Sequence, residues 1–318
     1  MIARIADHLF WFGRYLERVE STARLLFVTH NLALDADLPG ADVWGPVVIT
    51  TGEAEPFAAR YGRSASADGE RVQYHLTWDT DSWVSLRRSV AMARDNARGM
   101  REVLSLEVWQ AVNELHLWLD STTARELYDT HRYEFYRHVQ RVAQLALGLT
   151  RGTMLHDEAL DLLWLGVFLE RVGQIARSLD VHHHALARVG TTDPAVDAVV
   201  WIAVLRSSCA LEPYTKRRPG QVTGQAVAEF LIFQPDFPRS VRFAVREAYG
   251  CLARVRPPEA RDLPGGKSLE ALRVLGHWVD DQARSPGLMN ELHAALTHVV
   301  DEASRIGGLI GRELFGYT

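Results

Sequence analysis

The sequence predicts an all-α fold, a large helical bundle built from two related helical halves. Apolar residues recur three and four positions apart over long stretches of the chain. No alternating strand pattern with turn signals occurs outside residues 43–78. One pattern of residues also occurs twice, half a chain apart. With 318 residues, of which 47% are hydrophobic and 24% charged, the chain has the composition of a globular protein with a sizeable core.

The first half is predicted to begin with a long helix. Apolar residues from Ile5 to Leu26 follow the helical spacing, which predicts a helix over residues 3–34. Residues 35–80 are rich in Gly, Pro, Ser and Asp, and they predict an irregular excursion with room for one short helix. A further helix, capped by Asp81 or Ser82, is expected to follow.

That further helix is predicted from Leu86 to Leu119, with a break near Ser105. The stretch "DTHRYEFYRHVQRVAQLALGL" predicts the next helix, and "HDEALDLLWLGVFLERVGQIARSLDVHHHAL" predicts a second long one. The segment Thr192-Asp193-Pro194 places a proline at the first position of the helix that comes after it.

The C-terminal part is predicted to consist of shorter helices. They are expected in "GQAVAEFLIF", from near Pro238, and over residues 267–284 and 287–311. This gives nine or ten helices in one domain over residues 1–318, with halves at about 1–150 and 151–318.

The repeated pattern is the strongest feature of the sequence. Pairing each residue with the one 153 positions later gives ten identities in nineteen positions between 10/163 and 28/181, including Trp11/Trp164, Gly13/Gly166 and Glu17/Glu170. Such a repeat predicts two similar bundles related by a pseudo-twofold axis.

Charged residues accompany the repeat on helices that are apolar almost all round, which predicts that the charges are buried. The spacing rule for helices allows Arg14 to pair with Glu17 and Glu20 with Arg24. The simplest symmetric arrangement of the rest pairs Glu17 with Arg171 and Glu170 with Arg18. A structural network that fixes helix register is favoured over an anion-binding cleft.

These residues resemble the alpha-E family of bacterial proteins, named for a Glu-Arg signature. The resemblance covers almost the whole chain in five ordered segments, from "RIADHLFWFGRYLERVESTARLL" to "FLIFQPDFPRSV". The second copy of the signature reads "ERVG" and departs from the acid-rich pattern of the family at Gly173.

The resemblance implies a context more than a reaction. Proteins of this type occur beside, or fused to, a circularly permuted ATP-grasp amide-ligase-like protein and a transglutaminase-like protein, which implies a system that makes or modifies peptides. The catalytic candidates are Glu17 and Arg18. The ligand-binding candidates are Arg14, Arg24, Arg94, Asn96, Arg98, Glu170, Arg171, Arg177, Arg206 and Arg239.

For two sets of these candidate residues, a ligand-binding role and a purely structural role both stay open. Arg94, Arg98 and Arg101 share one helix face, with Asn96 turned away, and this row fits either an anion clamp or a face that pairs with Glu102 or a neighbouring helix. "PDFPRS" places Arg239 at a helix start, where an ordinary helix opening is favoured over an anion cradle.

Composition and missing motifs exclude several classes of function. The net charge of -5 predicts no attraction to nucleic acid or anionic membranes. Cys209 and Cys251, with no apparent leader or membrane span, predict a cytoplasmic protein. The adjacent residues His182, His183 and His184 cannot close on one metal ion, so no metal is predicted. No cofactor is expected, since no phosphate loop or nucleophile elbow is present.

Two functions therefore remain from the sequence. In the first, the chain binds a carboxylate or acyl-phosphate at the Glu/Arg cluster and Glu17 transfers protons. In the second, the chain is a non-catalytic scaffold or binding module for the two partners, and the cluster is architectural.

Overall fold

The computed structural model describes residues 2–35, 38–189, 194–220, 222–260, 262–284 and 291–317. In these ranges it contains fifteen α-helices, one 3-10 helix and one short π-helical turn, and no strand. The all-α prediction is confirmed. The predicted total of nine or ten helices is too low, because short helices occur where the sequence predicts loops.

Helices α1 and α9 carry the two copies of the repeat, and both are close to their predicted bounds. Helix α1 spans Ala3–Asp35 and α9 spans Glu158–Val189. Nearly every side of each helix is covered, as the absence of a polar face predicts. Whether the two halves are related by a pseudo-twofold axis stays a prediction.

The prediction of an irregular excursion over residues 35–80 is wrong. Helices α2 (Gly40–Thr50), α3 (Ala54–Tyr61) and α4 (Gly69–Trp78), with the 3-10 helix Arg63–Ala67, fill most of it. Pro39, Gly62 and Gly69 lie at the ends of these short helices, whereas Pro46 lies inside α2. Asp68 caps α4 by accepting hydrogen bonds from two backbone N–H groups.

The next four helices largely follow the sequence pattern. They are α5 (Leu86–Gly99), α6 (Leu106–Leu119), α7 (Thr122–Thr130) and α8 (Arg132–Thr153). The break near Ser105 is confirmed. The predicted cap at Asp81 or Ser82 is wrong, since the Ser85 hydroxyl accepts from the Arg88 N–H and begins α5.

Six helices follow α9. They are α10 (Pro194–Ser207), α11 (Leu211–Arg217), α12 (Gly224–Phe233), α13 (Val241–Val255), α14 (Gly266–Gln282) and α15 (Leu292–Ile310), before the π-helical turn Gly311–Phe315. Proline at the first position of α10 is confirmed, whereas Thr192 and Asp193 lie outside the described residues. The cap of α13 is Ser240, two residues beyond the predicted start.

The helices form two compact units. Unit one contains residues 1–14 and 155–318, and unit two contains residues 15–154. In unit one, α9 packs against α10, α12, α13 and α15. In unit two, α6 and α7 pack against α8, and the core contains a group of aromatic rings from Trp78, Tyr128, Phe135 and Tyr136.

Candidate functional site

The two glycines of the repeat bring main chains into contact inside unit one. A Cβ atom on Gly13 would overlap the carbonyl oxygen of Leu163, and it would lie 3.2 Å from the Val167 nitrogen. A Cβ on Gly166 would overlap the carbonyl oxygen of Phe10, and it would lie 3.3 Å from the Arg14 nitrogen. Only glycine allows so close an approach of two helices.

Beside this crossing, Arg14 and Glu170 form a largely buried ion pair. The Nε and Nη2 atoms of Arg14 each lie 2.7 Å from Glu170 Oε2, and the two side chains are 24% and 3% exposed. The Arg14 guanidinium also lies 5.0 Å from the centre of the Trp11 ring. Gln174 donates to the other carboxylate oxygen at 3.4 Å. Glu170 thus has an arginine partner inside unit one.

The remaining candidates of unit one have different surroundings. Arg171 is buried and donates to the Pro238 carbonyl at 2.9 Å. The Arg177 guanidinium lies against Gly173, one turn back on α9. Arg206 is exposed in the last turn of α10, and Arg239 is half-buried next to the Ser240 cap. The Ser240 hydroxyl accepts a hydrogen bond from the Phe243 N–H at 3.1 Å. One of the free backbone N–H groups at the start of α13 is therefore already satisfied by the protein and is not available to an anion.

In unit two, Glu20 is the centre of a second polar cluster. Glu20 is fully buried and accepts from Arg24 Nε at 3.1 Å and from Gln144 Nε2 at 3.1 Å. With its amide oxygen turned inward, Gln140 accepts from the same guanidinium at 2.9–3.2 Å. The predicted i,i+4 pair of Glu20 and Arg24 is therefore present.

Glu17 and Arg18 have the burial that the sequence predicts for charged residues on a covered helix. Glu17 is fully buried, and the Ser21 hydroxyl lies 3.5 Å from its Oε1 atom. Arg18 is half-buried, with its guanidinium 5.3 Å from the centre of the Tyr15 ring. The proposed pairs of Glu17 with Arg171 and of Glu170 with Arg18 stay predictions.

The predicted arginine row separates into different environments, because α5 ends at Gly99 and only Arg94 and Arg98 lie on it, whereas Arg101 lies two residues beyond its end. Arg94 Nε donates to Asn113 Oδ1 on α6 at 2.8 Å, and Asn96 donates to the Met92 carbonyl at 2.8 Å. Arg98 is exposed, with its Nη1 atom 3.9 Å from Asp95, and Arg101 lies over the Trp109 ring at 4.9 Å. Arg94 thus contacts the neighbouring helix.

Sequence reasoning missed a buried charged cluster in residues 53–79. His75 lies between two carboxylates, with Nε2 2.8 Å from Glu53 and Nδ1 3.0 Å from Asp79. Burial opposes ionisation of Asp79, but hydrogen bonds from the Asp81 N–H, Arg60 and His75 outweigh it and lower the pKa of that carboxyl. The spacing of His75 and Asp79, one helical turn apart, was the available signal.

A cavity of about 470 Å³ lies next to this cluster in unit two. Burial raises the pKa of Tyr128 in its wall to about 12, so its hydroxyl stays protonated even in alkaline solution. None of the site residues predicted from the sequence lines this cavity. Its lining consists of Tyr61, Asp68, Glu70, Arg71, Tyr74, Tyr128, Asp129 and Arg132.

Comparison with known proteins decides the family. Residues 1–315 match the Alpha-E family, described as a predicted alpha-helical domain with a conserved ER motif. The chain belongs to the Alpha-E family. Within the repeated pattern, Glu-Arg pairs occur at Glu17-Arg18 and Glu170-Arg171. No solved structure matches this Alpha-E chain.

Curated relatives of this Alpha-E protein bear the name uncharacterized protein. One protein of Mycobacterium bovis and one of Mycobacterium tuberculosis are each 24% identical to it over 281 residues. The match covers 82% of this chain but only 30% of either relative. The chain thus spans about a third of the length of the curated relatives that it matches. Within the described residues, no helix is both long enough and apolar enough to cross a bilayer.

Proposed function

We propose that this Alpha-E chain is a non-catalytic helical module of a system that makes or modifies peptides. It acts with a circularly permuted ATP-grasp amide-ligase-like protein and a transglutaminase-like protein in the cytoplasm. The much greater length of the mycobacterial relatives supports a module that works beside other domains. The partners and the system are the ones that the family resemblance implies.

The observation that carries this proposal is that arginines on α1 and α9 donate to acceptors of the fold itself. Arg14 binds Glu170, Arg171 binds the Pro238 carbonyl, and Arg24 binds Glu20. A guanidinium that already donates to acceptors of the fold has fewer N–H groups for a substrate carboxylate. This supports an architectural role, in which the signature fixes how helices meet.

Reconstitution with the two partners tests the proposal. The tag-free chain is mixed with the ATP-grasp-like and transglutaminase-like proteins of the same genome, and complex formation is followed by sedimentation velocity. ATP-dependent phosphate release is measured with and without the chain. We expect a stable complex and a partner activity that depends on the chain. Failure to associate with either partner would contradict the proposal.

A second candidate function is supported by the full burial of Glu17. A carboxylate held away from water is the kind of group that enzymes use for proton transfer, and Arg18 follows it directly. In this alternative, Glu17 and Arg18 belong to a site that binds a carboxylate or acyl-phosphate.

Two variants separate the functions. Circular dichroism first shows that the Glu17→Gln variant is folded. If the module is architectural, the reconstituted system with this variant keeps its ATP-dependent phosphate release. If Glu17 is catalytic, the system with the folded variant loses that activity. Arg18→Ala then also abolishes binding of inorganic phosphate, measured by calorimetry, whereas the architectural role predicts no such binding in the native chain.

A further inference from the structure

Three side chains from two packed helices of unit one converge at the end of α9. Asp180 and His184 lie one turn apart on α9, and His293 lies in the first turn of α15. His293 Nδ1 is 2.7 Å from Asp180 Oδ1, and His184 Nε2 is 3.5 Å from the same oxygen. The available ligand atoms of all three lie within 4.8 Å of one another.

This spacing is close to that of a metal site. In a tetrahedral site with bonds of about 2.0–2.1 Å, ligand atoms are roughly 3.3 Å apart. The Asp180–His184 distance is already near this value, and the Asp180–His293 distance needs to open by about 0.6 Å. The two imidazole rings have centroids 4.5 Å apart at an angle of 75°, so both can turn a nitrogen toward one point.

A hydrogen-bonded surface group explains only part of this geometry. The His293–Asp180 contact is a good hydrogen bond, but 3.5 Å is long for a bond between His184 and the same carboxylate. A single cation accounts for the convergence of all three groups. The position of the ligands on two helices that pack together also favours a site with fixed geometry.

We propose that Asp180, His184 and His293 bind one divalent first-row transition-metal ion such as Zn²⁺. Two imidazoles and one carboxylate are a common donor set for such ions, and they leave coordination positions for water or for a donor from another molecule. The ion ties the end of α9 to the start of α15. Of the three adjacent histidines, only His184 takes part, so the site differs from the one that the sequence excludes.

The test uses the full, tag-free chain after treatment with chelator. Zn²⁺ binding is measured by calorimetry, and Co²⁺ is added separately to record its visible absorption. We expect one Zn²⁺ ion to bind per chain, and we expect the visible absorption of bound Co²⁺ to be that of an ion with four or five ligands. His293→Ala and Asp180→Asn are each expected to weaken Zn²⁺ binding by at least about tenfold. All three side chains are at least partly exposed, at 22% for Asp180, 47% for His184 and 59% for His293, so the variants leave the core unchanged.

His183→Ala is the matched control, because His183 is adjacent in sequence but outside the cluster. It is expected to keep native Zn²⁺ affinity. The proposal is overturned if the native chain binds no Zn²⁺, if His293→Ala binds as tightly as the native chain, or if His183→Ala loses as much affinity as His293→Ala. His184→Gln adds a second readout, since it is expected to remove the Co²⁺ absorption while the far-ultraviolet circular dichroism stays native.

Discussion

At the scale of single residues, Gly13 and Gly166 determine how α1 and α9 meet in unit one. Each glycine faces a carbonyl of the other helix, Leu163 for Gly13 and Phe10 for Gly166. The sequence identified both as members of the repeat but gave no reason for glycine at these positions. That reason is the closeness of two main chains, and no pattern of side chains can reveal it.

Alanine at either glycine is expected to destabilise the chain. Gly13→Ala forces a methyl group against the Leu163 carbonyl, and overpacking of this kind costs about 2–3 kcal/mol. Gly148→Ala on α8 is the matched control, since its Cβ meets open space and alanine there stabilises by about 0.5–1 kcal/mol. Urea unfolding measures both. Equal stabilities of the two variants would show that the close approach is absent.

The ion pair of Arg14 and Glu170 also belongs to this scale. Arg14→Met leaves a carboxylate that is 3% exposed without its guanidinium, and loss of one partner of a buried pair costs about 3–5 kcal/mol. Because Arg14 is 24% exposed, the lower figure is expected. The double variant Arg14→Met/Glu170→Met is expected to be more stable than Arg14→Met alone. A double-mutant cycle by urea unfolding measures the coupling, and additive effects would contradict it.

Burial of several charged residues of the two repeat helices could be predicted because α1 and α9 have no polar face to present to water. Glu17, Glu20, Glu170 and Arg171 are all buried. The partners could not be predicted in the same way, since a guanidinium reaches acceptors on several neighbouring helices. The Pro238 carbonyl that Arg171 binds, for example, has no signature in the sequence.

At the scale of elements, long helices were predictable and short ones were not. The period of apolar residues can be counted over eight or nine turns in α1, but helices such as α3 (Ala54–Tyr61) have only two turns. Their ends carry the glycine and proline that otherwise indicate loops. The His75 cluster and the cavity of unit two were therefore missed, because both depend on helices in a segment that the sequence predicts to be irregular, and the spacing of His75 and Asp79 was the one available signal.

Capping serines fix where several helices begin, and Ser240 is the most informative. Its side chain is buried, accepts the Phe243 N–H at 3.1 Å and donates to the Gln234 carbonyl at 2.6 Å. Ser240→Ala removes both bonds and is expected to cost about 1–2 kcal/mol. Ser64→Ala, at an exposed position, is the control and should be within about 0.5 kcal/mol of native. Thermal unfolding compares the two, and a native-like Ser240→Ala would contradict the role of the cap.

At the scale of the whole molecule, the described histidines make stability depend on pH. Burial lowers the pKa of His30, His116, His138, His182 and His183. In the unfolded chain, these histidines have a pKa of about 6.5. Below that pH, the folded chain therefore binds fewer protons than the unfolded chain. Stability is therefore complete above pH 6.5 and falls as the pH is lowered through the pKa values of the folded state.

A single variant tests this dependence. The free energy of unfolding of the native chain is expected to fall between pH 7 and pH 5. His182→Gln is expected to reduce the slope, because the unfolded variant no longer takes up a proton at this position. Ser64→Ala, which removes no titratable group at an exposed position, is expected to keep the native slope. Urea midpoints over this pH range provide the measurement, and equal slopes for the native chain and His182→Gln would contradict the expectation.

The obstacle that faces Gly13 is a peptide carbonyl, which every amino acid carries. A substitution at Leu163 changes a side chain but leaves that oxygen in place. A genetic screen for suppressors of Gly13→Ala should therefore yield revertants, or changes that shift a whole helix, and none that reshape one neighbour. A chain that combines α1 and α9 from two different proteins is expected to keep this contact only if each helix supplies its own glycine.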